Sequence, residues 1–342
     1  MITSYNLEFG WFTIFVFLLV GYTILDGFDL GVGMLHLFAK KDEDRRVMLN
    51  SIGPVWDGNE VWFVTAGGAL FAGFPDIYAT LLSAFYVPVM ILLGGLIFRA
   101  VSIEFRSKQQ MLWWRWTWDI LFTLGSFVIS FSLGFILGNL IQGISVDENK
   151  EFIGTFNDLM NPYAFLVGFL AVSLFSMHGS IFLLMKTEGE LHEKIRKVSG
   201  SSMIFFIILY AVTTMATLIY LPHMISDFRD RPYFFGIAVM NLLAVANIPR
   251  EIHLGRDARA FASSCVNIIC LLALYAIGTY PDVIRAVNDP AHSLTIYNSS
   301  SSDLTLKILF FIAFIGMPLV IAYTTVVYYI FHGKVKLHST SY

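Results

Sequence analysis

Two carboxylates sit at the start of an apolar run, where carboxylates are expensive. The stretch from Gly53 reads Gly-Pro-Val-Trp-Asp-Gly-Asn-Glu-Val-Trp, and the apolar run it opens continues to about Gly73. A helix needs roughly 20 residues to cross a bilayer, so Asp57 and Glu60 are expected inside a spanning segment. Counted from Ser51, Asp57 lies about six residues in, roughly 9 Å at ~1.5 Å per residue. An ionisable group at the centre of a span costs roughly 2.5–3.5 kcal/mol on insertion scales and less near the ends. Asp57 and Glu60 are three apart and share a helix face. They point to proton or ion handling, with Trp56 and Asn59 as their supporting neighbours. The competing reading is a polar pair satisfied at a helix contact or snorkelling to the near interface.

The first apolar run carries a second pair. It reads Leu25-Asp26-Gly27-Phe28-Asp29-Leu30-Gly31, with both aspartates on one face. Gly27 and Gly31 form a small-xxx-small pair that lets another helix approach. These aspartates are open to two readings, a packing motif or proton handling. The third run ends Phe98-Arg99-Ala100-Val101-Ser102-Ile103-Glu104-Phe105-Arg106. Buried charges must be paired, so Arg99 is a candidate counter-ion for an aspartate of the first or second run. Asp26, Asp29, Asp57, Glu60, Arg99 and Glu104 then all fall at the same end of the first three spans. That grouping describes a hydrophilic inlet, and close carboxylates hold protons more readily than isolated ones.

The elements that must position these residues are apolar helices. The chain has 342 residues, of which 56% are hydrophobic and 14% charged, against about 25% charged in soluble domains. This predicts an all-α polytopic membrane protein, a single integral membrane domain over residues 1–342. Nine runs are expected as transmembrane helices, at roughly 9–38, 52–73, 77–103, 117–141, 163–186, 201–221, 233–249, 260–280 and 305–331. Setting Arg99 aside, alternate loops hold sixteen Lys and Arg against five. The positive-inside rule puts the richer set, and the C-terminus, in the cytoplasm and the N-terminus outside. The inlet is therefore expected on the cytoplasmic side. With no Lys or Arg before the first run, a cleaved signal peptide is not expected.

Other features carry less chemistry. Trp113, Trp114, Trp116 and Trp118 open the fourth run, in a segment ending Asp119, and read as an interfacial aromatic belt. Gly134 and Gly138 repeat the small-xxx-small spacing. His178 lies deep in the fifth run with no second His at helical spacing, which favours a hydrogen-bonded packing histidine over a haem ligand. Cys265 and Cys270 share one helix, cannot bridge, and read as apolar filler. The stretch Pro281–Asp303 is turn-rich and is expected as a solvated loop. No metal cluster, Walker motif, dinucleotide fingerprint or basic tract for nucleic acid is present in the sequence.

The same motifs carry a resemblance. Asp26–Gly33, Pro54–Trp62, Ala66–Ala72, Phe98–Lys108, the Gly138-Asn139-Leu140…Gln142-Gly143 segment and Gly189–His192 resemble subunit II of the cytochrome bd-type quinol oxidases, and the similarity runs from the first helix to the last. The resemblance implies a fold of two four-helix bundles plus one peripheral helix. It also implies a bacterial inner-membrane heterodimer with a subunit I that holds two b-type haems, one d-type haem and the quinol site. Electrons from quinol reduce O2 to water there, and subunit II supports assembly and cytoplasmic proton uptake. On this resemblance Asp57 and Glu104 belong to the uptake path. It leaves open a bound quinone in this chain, a small accessory single-helix subunit, the quinol type and the haem type. The chain departs from some members in having Val55 before Trp56 and Glu60 after Asn59. An alternative reading of the acids is a proton- or ion-coupled transporter. A transporter is expected to break helices at matched positions of two halves, and Pro88, Pro249 and Pro318 form no such inverted pair.

Overall fold

A computed structural model describes residues 4–337 and is almost wholly helical; His338 lies outside the described residues. The chain begins with α1 (Ser4–Leu35), and a short α2 (Asp42–Ile52) leads into α3 (Trp56–Gly73). Next come α4 (Pro75–Ala84), α5 (Tyr86–Phe105), α6 (Leu112–Gln142), α7 (Pro162–Lys186) and α8 (Gly189–Tyr220). After a one-turn α9 (Ser226–Asp230) follow α10 (Phe235–His253), α11 (Asp257–Thr279) and α12 (Asp303–Ile330). Among the described residues, eight helices are long and apolar enough to cross a membrane.

Two expected spans differ in form. The run 77–103 is not one helix but α4 and α5, which meet at Phe85. Pro88 lies just after the break and has no N–H to donate back to Ala84, which removes a hydrogen bond that would carry the helix across it. The run 52–73 starts late because Gly53-Pro54-Val55 forms a turn that separates α2 from α3. With Asp57, Asn59 and Glu60 in its first turns, α3 is not among the eight apolar helices.

Burial sorts the helices. Residues 26–36, from the second half of α1 into the turn after it, are buried on every side, so this stretch is the axis of the molecule. α3, α6, α7, α11 and α12 all pack on α1. Of the most apolar 18-residue window, 72% is buried in α7 and 6% in α12, so α7 is interior and α12 lies on the outside. Two close approaches depend on glycine. A Cβ on Gly31 would come within 2.0 Å of the Phe175 carbonyl oxygen, and one on Gly179 within 2.6 Å of the Gly31 backbone. Between α6 and α7, a Cβ on Gly134 or Gly138 would lie 2.6 or 2.7 Å from α7 backbone. Both small-xxx-small pairs therefore mark real helix contacts.

The Lys- and Arg-rich loops gather at one end of the bundle, called here the basic end. Lys41 pairs with Glu190, Lys194 with Asp44, and Lys334 donates to the Leu184 carbonyl. Trp113 and Trp116 lie exposed at this end, as an interfacial belt requires. The opposite end corrects an expectation. Pro281–Asp303 is not merely a solvated loop: β1 (Asp282–Ile284) pairs antiparallel with β2 (Leu294–Thr295). Ile284, Leu294 and Ile296 are fully buried in the core cluster they share with α1 and α3. Alternating apolar positions in a short hairpin account for this. Lys150 fastens the end by donating to Asp76 (2.6 Å) and to the Asn298 carbonyl (2.5 Å).

Candidate functional site

Arg99 is the centre of a buried polar cluster between α1, α3, α5 and α12. Its two terminal nitrogens donate to both oxygens of Asp26, at 3.0 and 2.5 Å. Asp29 lies 3.8 Å and Glu60 3.7 Å from the same guanidinium. Asn59 donates to Asp29 (2.7 Å) and to the Leu25 carbonyl (3.1 Å), and its oxygen accepts from the Tyr328 hydroxyl on α12 (2.9 Å). Asp26, Asp29 and Arg99 are fully buried, whereas the Glu60 side chain is 20% exposed.

Local sequence explains the geometry. Asp26 and Asp29 are three apart, so α1 presents both to α5 on one face. Gly95 and Gly125 let α5 and α6 approach closely, and the same contact holds the Arg99 backbone against α6, 3.1 Å from a Cβ built on Gly125. One cation thus faces three carboxylates. A buried ion pair is tolerated only when its remaining charge and lone pairs are satisfied. Asp29 Oδ1, Glu60 Oε2 and Arg99 Nε have no hydrogen-bond partner among the described residues. A cluster with excess acid and free polar atoms is suited to hold protons and water.

The structure joins Asp26, Asp29, Asn59, Glu60 and Arg99, as their types and spacing foretold, but not the whole expected set. Asp57 is exposed in the first turn of α3 rather than buried six residues into a span. The turn at Gly53-Pro54 is the reason. Trp56 is half-buried, packed on the core at the basic end. Glu104 is half-buried in the last turn of α5, five residues beyond Arg99, and is not among the Arg99 partners described above.

A second cluster went unread in the sequence. Asp119 is 1% exposed and accepts from His36 Nε2 (2.6 Å), Arg45 (2.8 Å) and Arg106 Nε (2.5 Å). Arg106 also donates to Asp42 (2.7 Å), which accepts from Arg115 as well (2.9 Å). This network ties α2, α5, α6 and the end of α1 together at the basic end. The available signal was an aspartate at the start of an apolar run, about two turns into α6, obscured by the surrounding tryptophans.

His178 is the packing histidine expected. Its Nδ1 lies 2.8 Å from the Ser264 hydroxyl and its Nε2 3.0 Å from the Ile24 carbonyl, and its ring stacks on Phe261. A cavity of about 370 Å3 lies among α1, α6, α7, α8 and α11, with Tyr22, Tyr163, Tyr210 and Tyr275 on its wall. No histidine or cysteine faces this cavity. No group of three or more His, Cys, Asp or Glu suited to a metal occurs among the described residues. His178 already has both ring nitrogens engaged, and the cavity wall offers tyrosines and Met224 but no histidine or cysteine.

The fold and site define a multi-pass helical membrane protein with an ion-paired acid cluster near one membrane face. A family model for cytochrome bd terminal oxidase subunit II matches residues 7–331. The chain is 32% identical to cytochrome bd-I ubiquinol oxidase subunit 2 of Escherichia coli K12, covering 98% of this chain and 97% of that protein. It is 34% identical to cytochrome bd ubiquinol oxidase subunit 2 of Bacillus subtilis 168, covering 95% and 96%. A solved bd oxidase structure from Geobacillus thermodenitrificans superposes with a TM-score of 0.78 over 95% of this chain and 98% of that one, at 18% identity, and so shares the fold. The chain belongs to the cytochrome bd terminal oxidase subunit II family. It is a subunit of a respiratory oxidoreductase of the quinol oxidase class.

Proposed function

We propose that this chain is the haem-free subunit of a heterodimeric quinol:O2 oxidoreductase in a bacterial inner membrane. It supports assembly of a haem-bearing subunit I and admits protons from the cytoplasm. The observation that carries this reading is the cluster of three acids around Arg99, with unsatisfied polar atoms and with Glu60 partly open to the outside of the chain. The basic end faces the cytoplasm on the charge asymmetry of the loops. Asp57 and Glu104 lie at that end, at the mouth of the cluster, and serve as its outer proton acceptors. α3 is the ninth span. Its polar first turns are tolerated because subunit I covers them, in an arrangement of two four-helix bundles with α12 at the periphery.

The exposed face of α3 supports that partner. Asp57, Gly58, Val61, Val64, Gly68 and Phe71 line it without cover from this chain. An uncovered acid beside small and apolar residues suits burial against a second polytopic subunit better than lipid. The haems are assigned to subunit I, and the His178 imidazole of this chain is taken up by Ser264 and the Ile24 carbonyl. A quinone, where one is bound here, fits the apolar cavity. The quinone's ring carbonyls would accept from the tyrosine hydroxyls on its wall.

The test uses the assembled complex in its native lipid. Asp57→Asn and Glu60→Gln are each expected to lower quinol oxidase turnover at least tenfold while the reduced-minus-oxidised haem spectrum is unchanged. Parent turnover in both variants, with haem content intact, sinks the proton-uptake reading for these residues.

A further inference from the structure

The second half of the molecule contains an inverted pattern. On α8, α10 and α11 the exposed faces are apolar, while the buried stripes carry polar residues. Ser199 and Ser202 are buried on α8, Asn241 and Glu251 on α10, and Ser263 and Asn267 on α11. None of these residues belongs to the Arg99 or Asp119 cluster.

Two hydrogen bonds fix the relative heights of α8 and α10. Arg196 donates to the Ile252 carbonyl (2.9 Å), and Asn241 donates to the Tyr210 hydroxyl (3.0 Å). α8 and α10 are therefore antiparallel, with Ser199 level with Glu251 and Ser202 level with Asn247. Asn247 donates to Ser263 (2.9 Å), which sets the α10–α11 hairpin and puts Asn267 about one turn above that bond, beside Ala244. By height the polar residues fall at three levels, or rungs, that climb from the basic end: Ser199 and Glu251, then Ser202 with the bonded pair Asn247 and Ser263, then Asn267 with the bonded pair Asn241 and Tyr210. From Glu251 to Asn241 is ten residues of helix, roughly 15 Å.

The rungs are not closed on themselves. Ser199 Oγ, Glu251 Oε2, Asn241 Oδ1 and both polar atoms of Asn267 are buried without a hydrogen-bond partner among the described residues. Asn267 and Asn241 are 0% exposed. A buried amide with neither donor nor acceptor used is rare, because desolvating it is costly, and an internal water is the usual partner. The top rung meets the large cavity, since Tyr210 lines it.

We propose that α8, α10 and α11 enclose a file of ordered water molecules, a second hydrated access from the basic end, leading past Asn247 and Asn267 to the floor of the cavity at Tyr210. The ligand is water. It bonds to the open amide and hydroxyl atoms of each rung, and Glu251 is the acid at the mouth. The file is separate from the acid cluster on α1, α3 and α5, and it stands whether or not that cluster takes up protons.

Synchrotron hydroxyl-radical footprinting of the intact complex tests it, because radicals form on bound water and modify only side chains beside it. Tyr210 is expected to be modified at least fivefold faster than Phe85, which is 0% exposed in the apolar core cluster around α1 and α3. The double variant Asn241→Leu/Asn267→Leu is expected to bring Tyr210 down to the Phe85 rate while the haem spectrum stays that of the parent. Equal rates for Tyr210 and Phe85 in the parent complex overturn the proposal. So does undiminished Tyr210 modification in the double variant, which would place the water in the cavity alone. If the double variant does not assemble, Asn267→Ala carries the comparison, and the parent rates decide in either case.

Discussion

Arg99→Leu removes the one cation that faces Asp26, Asp29 and Glu60. Breaking a buried pair by deleting one partner costs about 3–5 kcal/mol, a large share of a typical folding stability of roughly 5–15 kcal/mol. Asp26→Leu is the milder change. Arg99 then still has Asp29 at 3.8 Å and Glu60 at 3.7 Å to turn to. The loss is that of a charge-assisted hydrogen bond, about 1.5–3 kcal/mol. In the double variant an apolar pair replaces the ion pair, which by itself is near neutral. Asp29 still lacks its cation there, so recovery from Arg99→Leu is partial. With an unfolding entropy of about 2.1 cal/mol/K per residue, a chain of 342 residues shifts by roughly 1.4 °C per kcal/mol, so Arg99→Leu lowers the melting midpoint by about 4–7 °C. Tryptophan fluorescence during thermal unfolding of the detergent-solubilised complex reads this directly. The order expected is Arg99→Leu worst, the double variant intermediate and Asp26→Leu mildest. An Arg99→Leu midpoint within about 2 °C of the parent, or Asp26→Leu worse than Arg99→Leu, would refute the ion-pair argument.

Gly179→Ala drives a methyl group into the Gly31 backbone, 2.6 Å away. Overpacking of this kind costs about 1–3 kcal/mol and more where backbone meets backbone, so a lower melting midpoint is expected, with Gly200→Ala, which meets nothing within 4 Å, as the unaffected control. Gly68→Leu adds bulk to an exposed face of α3 and should leave the subunit folded by circular dichroism but unable to co-purify a haem-bearing partner; normal co-purification would move the docking surface elsewhere. Burial holds the His223 imidazole below the usual histidine range, its bond to the Ile141 carbonyl opposes this, and Arg285 adds to the lowering. The folded chain therefore binds fewer protons there than the unfolded chain around pH 6. This contribution is full above about pH 6.5 and is lost as pH falls from there toward the lowered folded value. His223→Gln should flatten the dependence of the melting midpoint between about pH 7 and 5, and an unchanged slope would remove His223 from the account.

The acid cluster was legible because a carboxylate in an apolar run is conspicuous, and because Arg99 was the one buried cation near the right height. Its wiring was not legible. Asp26 rather than Asp57 holds Arg99, since the turn at Gly53-Pro54 moves Asp57 to the start of α3, and a turn of that kind interrupts no hydropathy pattern. The break at Phe85 lies just before Pro88, but proline also occurs within unbroken α10 and α12, at Pro249 and Pro318, so its effect depends on packing. Asp119 was hidden in a tryptophan-rich edge, of which Trp113 and Trp116 are exposed and Trp114 and Trp118 half-buried. The polar rungs of α8, α10 and α11 consist of single Ser and Asn residues, each ordinary alone. They align only when the heights of three helices are known, and that information lies in the contacts between helices.

The pairing of Asp26 with Arg99 also constrains how the chain is made. The two residues are 73 apart in sequence, and synthesis runs at about 5–20 residues per second. For roughly 4–15 s after Asp26 leaves the ribosome, its counter-ion does not yet exist. During that interval the first helix carries two aspartates with no cation to meet them. It must wait in the insertion machinery, lodge at the interface, or enter the bilayer with its carboxyl groups protonated. The helix that becomes the axis of the finished molecule is thus the least able to settle when it is born, and α5 is the segment that releases it. Slowing translation between the two codons should prolong that vulnerable state and increase proteolysis of the nascent subunit, while moving an equal pause beyond α5 should not.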